Sequence, residues 1–189
     1  MLKNRALEIA DKIIGLYKTV GLASYDGEDI SQLEHAAQAA ALAKKDGLDE
    51  ETVLAAFLHD IGHLLESSNA QMADYGNRNH ELIGAEYLKE HFFSKKLTAL
   101  VEGHVAAKRY LCAVSPAYFN QLSVASKQTL VFQGGPMSDA EVKDFELNEN
   151  KRWIIRLRTY DEAAKVVGQP TTDLSLYHRL IVEHLMKQS

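Results

Sequence analysis

Apolar residues recur along most of this chain every three or four positions, which is the spacing of one face of a helix. No stretch shows a sustained alternation of apolar and polar residues, the pattern typical of a strand. The first helical face ends before Gly21 and consists of Leu7, Ala10, Ile13, Ile14 and Tyr17. The prolines at positions 116, 136 and 170 fall where loops are expected, so long segments are free to be helical. We therefore predict an all-α fold, a helical bundle.

Capping signals delimit the other helices. Ser31 with Glu34 forms a capping box and predicts a helix that runs to about Lys45. Ser138 with Glu141 forms a second capping box. Further helices are expected to begin at Asp49 or Glu50, at Asn79, at Ser94, at Asn150 and at Asp173. They are expected to end near Gly62, His91, Lys108, Ala164 and Met186, in that order. Residues 66–78 are predicted to form a loop, and residues 112–137 a mixture of short helical pieces and turns.

The predicted helix that begins near position 50 carries six consecutive apolar residues, 53–58. It is therefore expected to be central and buried. His59 and Asp60 follow at once, and a charged carboxylate at the end of a buried helix is costly unless it is paired or bound to a metal ion. Taken alone, the pair is equally consistent with a histidine and an aspartate that satisfy each other by a hydrogen bond.

The composition limits what the chain can bind. Its 189 residues suggest a single domain over residues 1–189, and its net charge of −5 makes it a poor candidate for binding nucleic acid. No membrane association is expected, because no window has the 18 or more apolar residues of a membrane-spanning helix. The single cysteine, Cys112, forms no intrachain disulfide and favours the reducing cytoplasm. The oligomeric state is left open.

Several of the eight histidines match the order of a metal site. His35 precedes the His59-Asp60 pair, and Asp161 follows far downstream. This order of His, His-Asp and a distant Asp resembles the HD-domain superfamily, in which the four residues hold a divalent metal ion. The resemblance implies an HD-type helical bundle with a metal site in its core.

His80 and His104, on separate predicted helices, extend this set. Each alone is more often an ordinary surface or core histidine than a ligand. Together they fit a second metal position, with Asp60 as the carboxylate that bridges both metals. The predicted ligands of the first metal are His35, His59, Asp60 and Asp161, and those of the second are Asp60, His80 and His104. The remaining histidines without such companions, treated as structural or surface residues, are His91, His178 and His184.

Three polar residues are expected one helical turn from a predicted ligand, facing the same cavity. They are His63, four residues after His59, Lys108, four after His104, and Arg158, three before Asp161. Cations beside a metal pair are unfavourable unless an anion also binds there, and phosphate or phosphonate groups suit Lys and Arg donors. The alternative for Lys108 and Arg158 is an ordinary solvated helix face.

Longer motifs narrow the resemblance. They are Tyr25-Asp26-Gly27-Glu28, Gln32-Leu33-Glu34-His35, His59-Asp60-Ile61-Gly62-His63, Glu102 to Tyr110, Ser123 to Ser126, Gln133-Gly134-Gly135-Pro136-Met137 and Arg158 to Asp161. Together they are similar to the mixed-valent diiron HD-domain oxygenases that cleave carbon–phosphorus bonds, the family typified by 2-amino-1-hydroxyethylphosphonate dioxygenase. The similarity covers roughly residues 20 to 165, and the run around His104 and the turn after Gln133 are its most specific parts.

The resemblance implies an Fe(II)/Fe(III) pair at the six predicted ligands and a role in phosphonate catabolism with O2 as co-substrate. The substrate would be a 1-hydroxy-2-(amino or trimethylammonio)ethylphosphonate, cleaved to phosphate and to glycine or glycine betaine. The residues implied to bind substrate are Tyr25, Glu28, His63, Lys108, Ser126, Gln133 and Arg158, and those also implied to be catalytic are His63, Lys108 and Arg158. In this reading Tyr25 gates an iron position and Glu28 meets the cationic nitrogen.

Other interpretations stay open at this point. The segment with Tyr25 and Glu28 could be an ordinary polar loop, and Gln133 could simply cap the Gly-Gly-Pro turn. A metal-dependent HD phosphohydrolase would explain the His-Asp pair and the cations, but not the similarity along the whole chain. A ligand-sensing HD module without catalysis would have little need of six metal ligands in register. The carboxylate-rich loop also suits either a primary amine or a trimethylammonium group.

Overall fold

The computed structural model describes residues 2–25, 27–65, 79–169 and 173–188. These ranges contain no strand beyond an isolated bridge between Ser24 and Ser31. Their α-helices are α1 (Leu2–Thr19), α2 (Gln32–Lys45), α3 (Glu50–Leu58), α4 (His80–Glu90), α5 (Lys95–Val114), α6 (Pro116–Gln121), α7 (Val124–Phe132), α8 (Asp139–Glu146), α9 (Lys151–Ala163) and α10 (Leu174–Lys187). Two 3-10 turns span Val20–Leu22 and Ile61–Leu64. The predicted all-α fold is confirmed, whereas the loop predicted at residues 66–78 lies outside the described residues.

Helix α3 lies at the centre of the bundle. Every residue from Thr52 to Leu58 is buried, and the helix packs against α2, α5, α9 and α10. Full burial of a side chain such as Phe57 or Leu58 contributes about 2 kcal/mol each. The hydroxyl of Tyr17 donates a hydrogen bond of 2.7 Å to the carbonyl of Phe57 and satisfies one of the carbonyls at the end of the helix. The predicted central helix is therefore confirmed, and its end is held firmly where the His-Asp pair begins.

Helix caps agree with the sequence in most places. Both predicted capping boxes are present, at the first turns of α2 and α8. Ser94 caps α5, because its hydroxyl accepts a hydrogen bond of 3.1 Å from the amide of Leu97.

None of the helices in the described part of the chain combines the length and the apolar character that a membrane crossing would require.

Two predicted boundaries were wrong, and one helix that begins where predicted lacks the expected side-chain cap. Helix α3 ends at Leu58 and not near Gly62, because the backbone tightens into the 3-10 turn that follows. Helix α5 continues past Lys108 to Val114, since no residue disfavours the helix until Ser115, which is extended and precedes a proline. Asn79 does not cap α4 with its side chain, because its backbone is left-handed, with a φ of 62°.

Glycine at position 62 permits the contact that brings α4 to the centre of the molecule. A Cβ atom built on Gly62 would lie 2.0 Å from the carbonyl oxygen of His80, the first residue of α4. Gly84, one turn further along α4, faces the same point, where a Cβ would lie 3.1 Å from the amide nitrogen of Gly62. The contact is backbone against backbone, so a side chain at position 62 cannot be accommodated without moving α4.

We expect Gly62→Ala to destabilise the metal-free protein by about 2 kcal/mol or more, because the helix itself must shift. The matched control is Gly15→Ala in α1, where a Cβ would meet no atom within 4 Å and where alanine should stabilise the helix by up to about 1 kcal/mol. Urea denaturation followed by circular dichroism measures both changes. Equal effects of the two substitutions would contradict the close approach.

Candidate metal centre

Three of the predicted histidine ligands are fixed in orientation by backbone carbonyls. The Nδ1 atoms of His35, His59 and His104 lie 2.8, 2.9 and 2.7 Å from carbonyl oxygens. The acceptors are, in the same order, Ala164, Ala56 and Val101. A carbonyl oxygen can only accept a hydrogen bond, so each Nδ1 carries a hydrogen and each Nε2 presents a lone pair in the neutral ring. This is the orientation that metal-binding imidazoles adopt.

The ring nitrogens face one another in two pairs. The Nε2 atoms of His35 and His59 are 3.1 Å apart, and those of His80 and His104 are 3.0 Å apart. All four side chains are buried. The Nδ1 hydrogens of His35 and His59 leave two Nε2 lone pairs directed at each other, and these repel in a buried site unless a positive charge lies between them. Each of the two pairs can offer two ring nitrogens to a cation.

Asp60 lies between the two pairs and presents one oxygen to each. Its Oδ2 is 3.2 Å from Nε2 of His59 and 3.5 Å from Nε2 of His35. Its Oδ1 is 3.3 Å from Nε2 of both His80 and His104. A carboxylate placed in this way can bridge two metal ions.

Asp161 completes the first set. Its Oδ1 lies 3.4 Å from Nε2 of His35 and 3.8 Å from Nε2 of His59. This oxygen is buried and accepts no hydrogen bond from any of the described residues, a deficit of about 1–3 kcal/mol that a cation would remove. Burial opposes ionisation, but the Arg158 guanidinium and the facing imidazoles hold the pKa of Asp161 well below its usual range. Asp161 is therefore an ionised carboxylate with an oxygen available to a metal.

The first set retains positive charge even without a metal. Burial disfavours a charge on His59, yet the carboxylates of Asp60 and Asp161 raise its pKa to about 10. A bound proton would be released when a metal ion takes its place. The nitrogen and oxygen donors of both sets suit a divalent or trivalent first-row transition metal, and iron is among these.

His63 reaches the site by a different route from the one expected. It does not lie one helical turn from His59, because α3 has already ended and the 3-10 turn carries His63. Its ring stacks on that of His80, with the centroids 3.9 Å apart. Burial and His80 hold the pKa of His63 well below its usual range. Its ring can also approach a metal at the second set, since ligand atoms of Asp60, His63 and His80 lie within 4.8 Å of one another.

All seven residues predicted to bind substrate line one cavity, together with Asp60, His80, His104 and Asp161. The structure thus brings the whole predicted set together. Tyr25 stacks on the ring of His35, with the centroids 3.9 Å apart, so its phenol covers a member of the first set. The three remaining histidines lie elsewhere, and His184, for example, accepts a hydrogen bond from the amide of Ser94.

Lys108 is buried and forms no ion pair with a carboxylate of the described residues. Its Nζ donates hydrogen bonds of 2.6 Å to Thr129 Oγ1 and 3.0 Å to Gln133 Oε1. Among the described residues, no carboxylate lies within 4.0 Å of it. Burial and the nearby Arg158 lower the pKa of Lys108 to about 7. An anion in the cavity would relieve this cost, so Lys108 forms a candidate anion site.

In Arg158, by contrast, all three guanidinium nitrogens have polar partners. Its guanidinium forms ion pairs with Asp161 and Glu162, and its Nε donates a hydrogen bond of 2.8 Å to the hydroxyl of Tyr118. The sequence analysis missed Glu162, although it lies four residues after Arg158 and so on the same helical face. It also missed Lys165, which lies beyond the end of α9 and pairs with Glu28 at 3.2 Å. Lys165 lies four residues after Asp161, the spacing that selected Lys108, but the helix ends at Ala163, before Lys165.

Comparisons with known proteins agree with this geometry. The sequence model of the HD domain family matches residues 32–129, which contain every candidate ligand except Asp161. The chain is 43% identical over 182 residues to the 1-hydroxy-2-(trimethylamino)ethylphosphonate dioxygenase (glycine-betaine-forming) of Leisingera caerulea, covering 94% of this chain and 92% of the relative. It is 42% identical over 173 residues to the hydroxymethylphosphonate dioxygenase of Gimesia maris, covering 90% and 85%. An uncharacterized protein of Acanthamoeba polyphaga mimivirus is 40% identical over 185 residues, covering 97% and 84%.

The lowered pKa of Lys108 predicts a dependence of stability on pH. An unfolded lysine has a pKa near 10.5, so between about pH 7 and pH 10 the unfolded chain binds a proton that the folded chain lacks. Lys108 therefore makes the free energy of unfolding rise with pH in this window, by up to about 1.4 kcal/mol per pH unit. We expect Lys108→Met to remove this contribution in urea denaturation of the metal-free protein.

The matched control is Lys96→Met, which removes a partly exposed lysine paired with Asp49 at 2.8 Å. This pair holds the proton on Lys96, so the control should keep the slope of the wild type. A slope that Lys108→Met leaves unchanged would show that folding does not lower the pKa of Lys108.

Proposed function

This chain belongs to the HD domain family, and from that premise we propose that it is an iron-dependent oxygenase that uses O2 to cleave the C–P bond of a 1-hydroxyphosphonate. The substrate class is 1-hydroxy-2-(amino or trimethylammonio)ethylphosphonate, and the products are phosphate and glycine or glycine betaine. One observation carries the proposal: Asp60, His80 and His104 line a cavity together with Lys108, which forms no ion pair with any described residue, and Asp60 joins these two imidazoles to the facing pair of His35 and His59. The high identity to two phosphonate dioxygenases supports it.

The residues divide between two metal positions. We assign one iron to His35, His59, Asp60 and Asp161, and the other to Asp60, His80 and His104. Two irons, one ferrous and one ferric, would supply the redox capacity to reduce O2 and oxidise C1 of the substrate. The single shared carboxylate keeps the two positions adjacent.

Lys108 supplies the positive charge for the phosphonate. Thr129 and Gln133 accept hydrogen bonds from its Nζ and so keep the ammonium directed along the cavity wall. Burial strengthens the attraction, because an ion pair is weakly screened where water is excluded. Ser126 and His63 line the same cavity and can form hydrogen bonds with substrate oxygens. Arg158 acts through its ion pairs, since it holds Asp161 and Glu162 in place.

Tyr25 and Glu28 control the other side of the cavity. Tyr25 lies against His35, and we assign it the role of a gate that a bound substrate displaces. Glu28 offers a carboxylate to a substituent on C2 of the substrate.

The predictions of a single domain over residues 1–189 and of a cytoplasmic location remain part of this proposal.

The overall reaction balances without an external reductant. The two oxygen atoms of O2 enter the products, one in the carboxylate and one in the phosphate, while C1 loses its bonds to phosphorus and hydrogen. An iron-loaded sample should therefore release phosphate from 1-hydroxyphosphonates in air, in step with the O2 consumed, and should release none under argon. The resting protein should show the electron paramagnetic resonance signal of a coupled Fe(II)/Fe(III) pair.

The experiment compares the amino and trimethylammonio substrates side by side with inorganic phosphate and O2 measured together. Asp60→Ala is the control, since it removes the ligand shared by both metal positions and should abolish phosphate release. Phosphate that appears equally fast under argon would instead identify a metal-dependent phosphohydrolase.

A further inference from the structure

The ammonium group of Lys165 lies in the cavity wall among four oxygen atoms. Its Nζ is 2.9 Å from Ser126 Oγ, 3.2 Å from Glu28 Oε1, 3.3 Å from Ser123 Oγ and 3.3 Å from Glu162 Oε1. The side chain is only 12% exposed. These partners belong to three segments, namely the loop before α2, the start of α7 and the end of α9. A single cation therefore links three walls of the cavity.

The backbone on both sides of Lys165 is anchored to α2. The carbonyl of Ala164 accepts the hydrogen bond from His35 Nδ1. The Gln38 side chain forms two hydrogen bonds with the main chain of Val166. Its Nε2 donates to the Val166 carbonyl at 2.9 Å, and its Oε1 accepts from the Val166 amide at 3.0 Å. The main chain at Lys165 is thus fixed, whereas its long side chain can change rotamer and move its ammonium.

The cavity has two electrostatically different parts. Around Lys165, two cations face three carboxylates, since Arg158 pairs with Asp161 and Glu162 and Lys165 pairs with Glu28 and Glu162. The hydroxyl of Ser123 also donates a hydrogen bond of 2.7 Å to Glu28. Lys108, in the other part, has no carboxylate partner among the described residues. One part is suited to an anion, whereas in the other each of the three carboxylates already has a cationic partner.

We propose that Lys165 is a specificity-determining residue that neutralises Glu28 from within the chain and so sets the charge that the cavity accepts opposite the phosphonate. The cationic substrates of the proposed function must therefore displace Lys165 from Glu28, whereas a 1-hydroxyphosphonate without a cationic substituent can bind with Lys165 in place. A cationic substituent can reach the Glu28 carboxylate only if the Lys165 ammonium gives up its place, because two cations on one carboxylate repel each other. This inference rests on the proposed function for the identity of the phosphonate ligand.

The test measures the affinities of two phosphonates by calorimetry under argon, where no turnover occurs. One is hydroxymethylphosphonate, which has no cation, and the other is 1-hydroxy-2-(trimethylammonio)ethylphosphonate. In the iron-loaded protein, Lys165→Met and Lys165→Gln should each shift the affinity ratio in favour of the cationic ligand by about tenfold, the effect of one partly buried charge contact. Lys165→Arg keeps the charge and should keep the ratio of the wild type.

A second background shows whether Lys165 acts through Glu28. In Glu28→Gln, where there is no carboxylate to neutralise, Lys165→Met should leave the ratio unchanged. Equal losses of affinity for both ligands in the single variants, or a shift of the ratio that persists in the Glu28→Gln background, would overturn the proposal.

The same proteins are then assayed in air for phosphate release. A shifted affinity ratio without phosphate release would retain the role of Lys165 and refute the proposed oxygenase. Phosphate release with an unshifted affinity ratio would support the proposed oxygenase and refute the role of Lys165. The two proposals can therefore fail separately.

Discussion

Hydrogen bonds from ring Nδ1 atoms to backbone carbonyls determine how the centre of this molecule is organised. They leave the Nε2 lone pairs of His35 and His59 directed at each other, with the two nitrogens 3.1 Å apart. The Nε2 atoms of the second pair, His80 and His104, are 3.0 Å apart. The arrangement is unfavourable in a buried site unless a positive charge is present. The central helix α3 delivers His59 and Asp60 to this point, and the glycine contact at position 62 brings His80 to the other side. The packing that holds the helices together therefore also brings the candidate metal ligands together.

The cavity beside the metal positions separates charge in a way that matches an asymmetric substrate. Lys108 is buried and forms no ion pair within the described part of the chain, so an anion in the cavity would stabilise its charged form. Lys165 forms an ion pair with Glu28, so the charges of these two residues offset each other in their part of the cavity. Both lysines are held by residues of α7 or its N-cap, Thr129 for the first and Ser123 and Ser126 for the second. In the proposed function, this short helix would contact both the residue that binds the anion and the residue that faces the opposite end of the substrate.

Sequence reasoning reached the helical class and the residues around the cavity, because periodicity and capping are local and because the histidine motifs are distinctive. Its failures have physical reasons. His63 was assigned to the wrong element, since the tightening of the chain after Leu58 depends on the packing of Gly62 against α4. Lys165 was missed because its position is set by the clasp between Gln38 and Val166, which joins residues 128 positions apart. The left-handed backbone of Asn79 is likewise a tertiary effect that its preference for helix caps does not reveal.

The most direct test of the central claim is anomalous diffraction at the iron edge from crystals of the iron-loaded protein. We expect two peaks, one between His35 and His59 and one between His80 and His104, with the carboxylate of Asp60 between them. A single peak, or a second peak away from His80 and His104, would contradict a dinuclear centre bridged by Asp60.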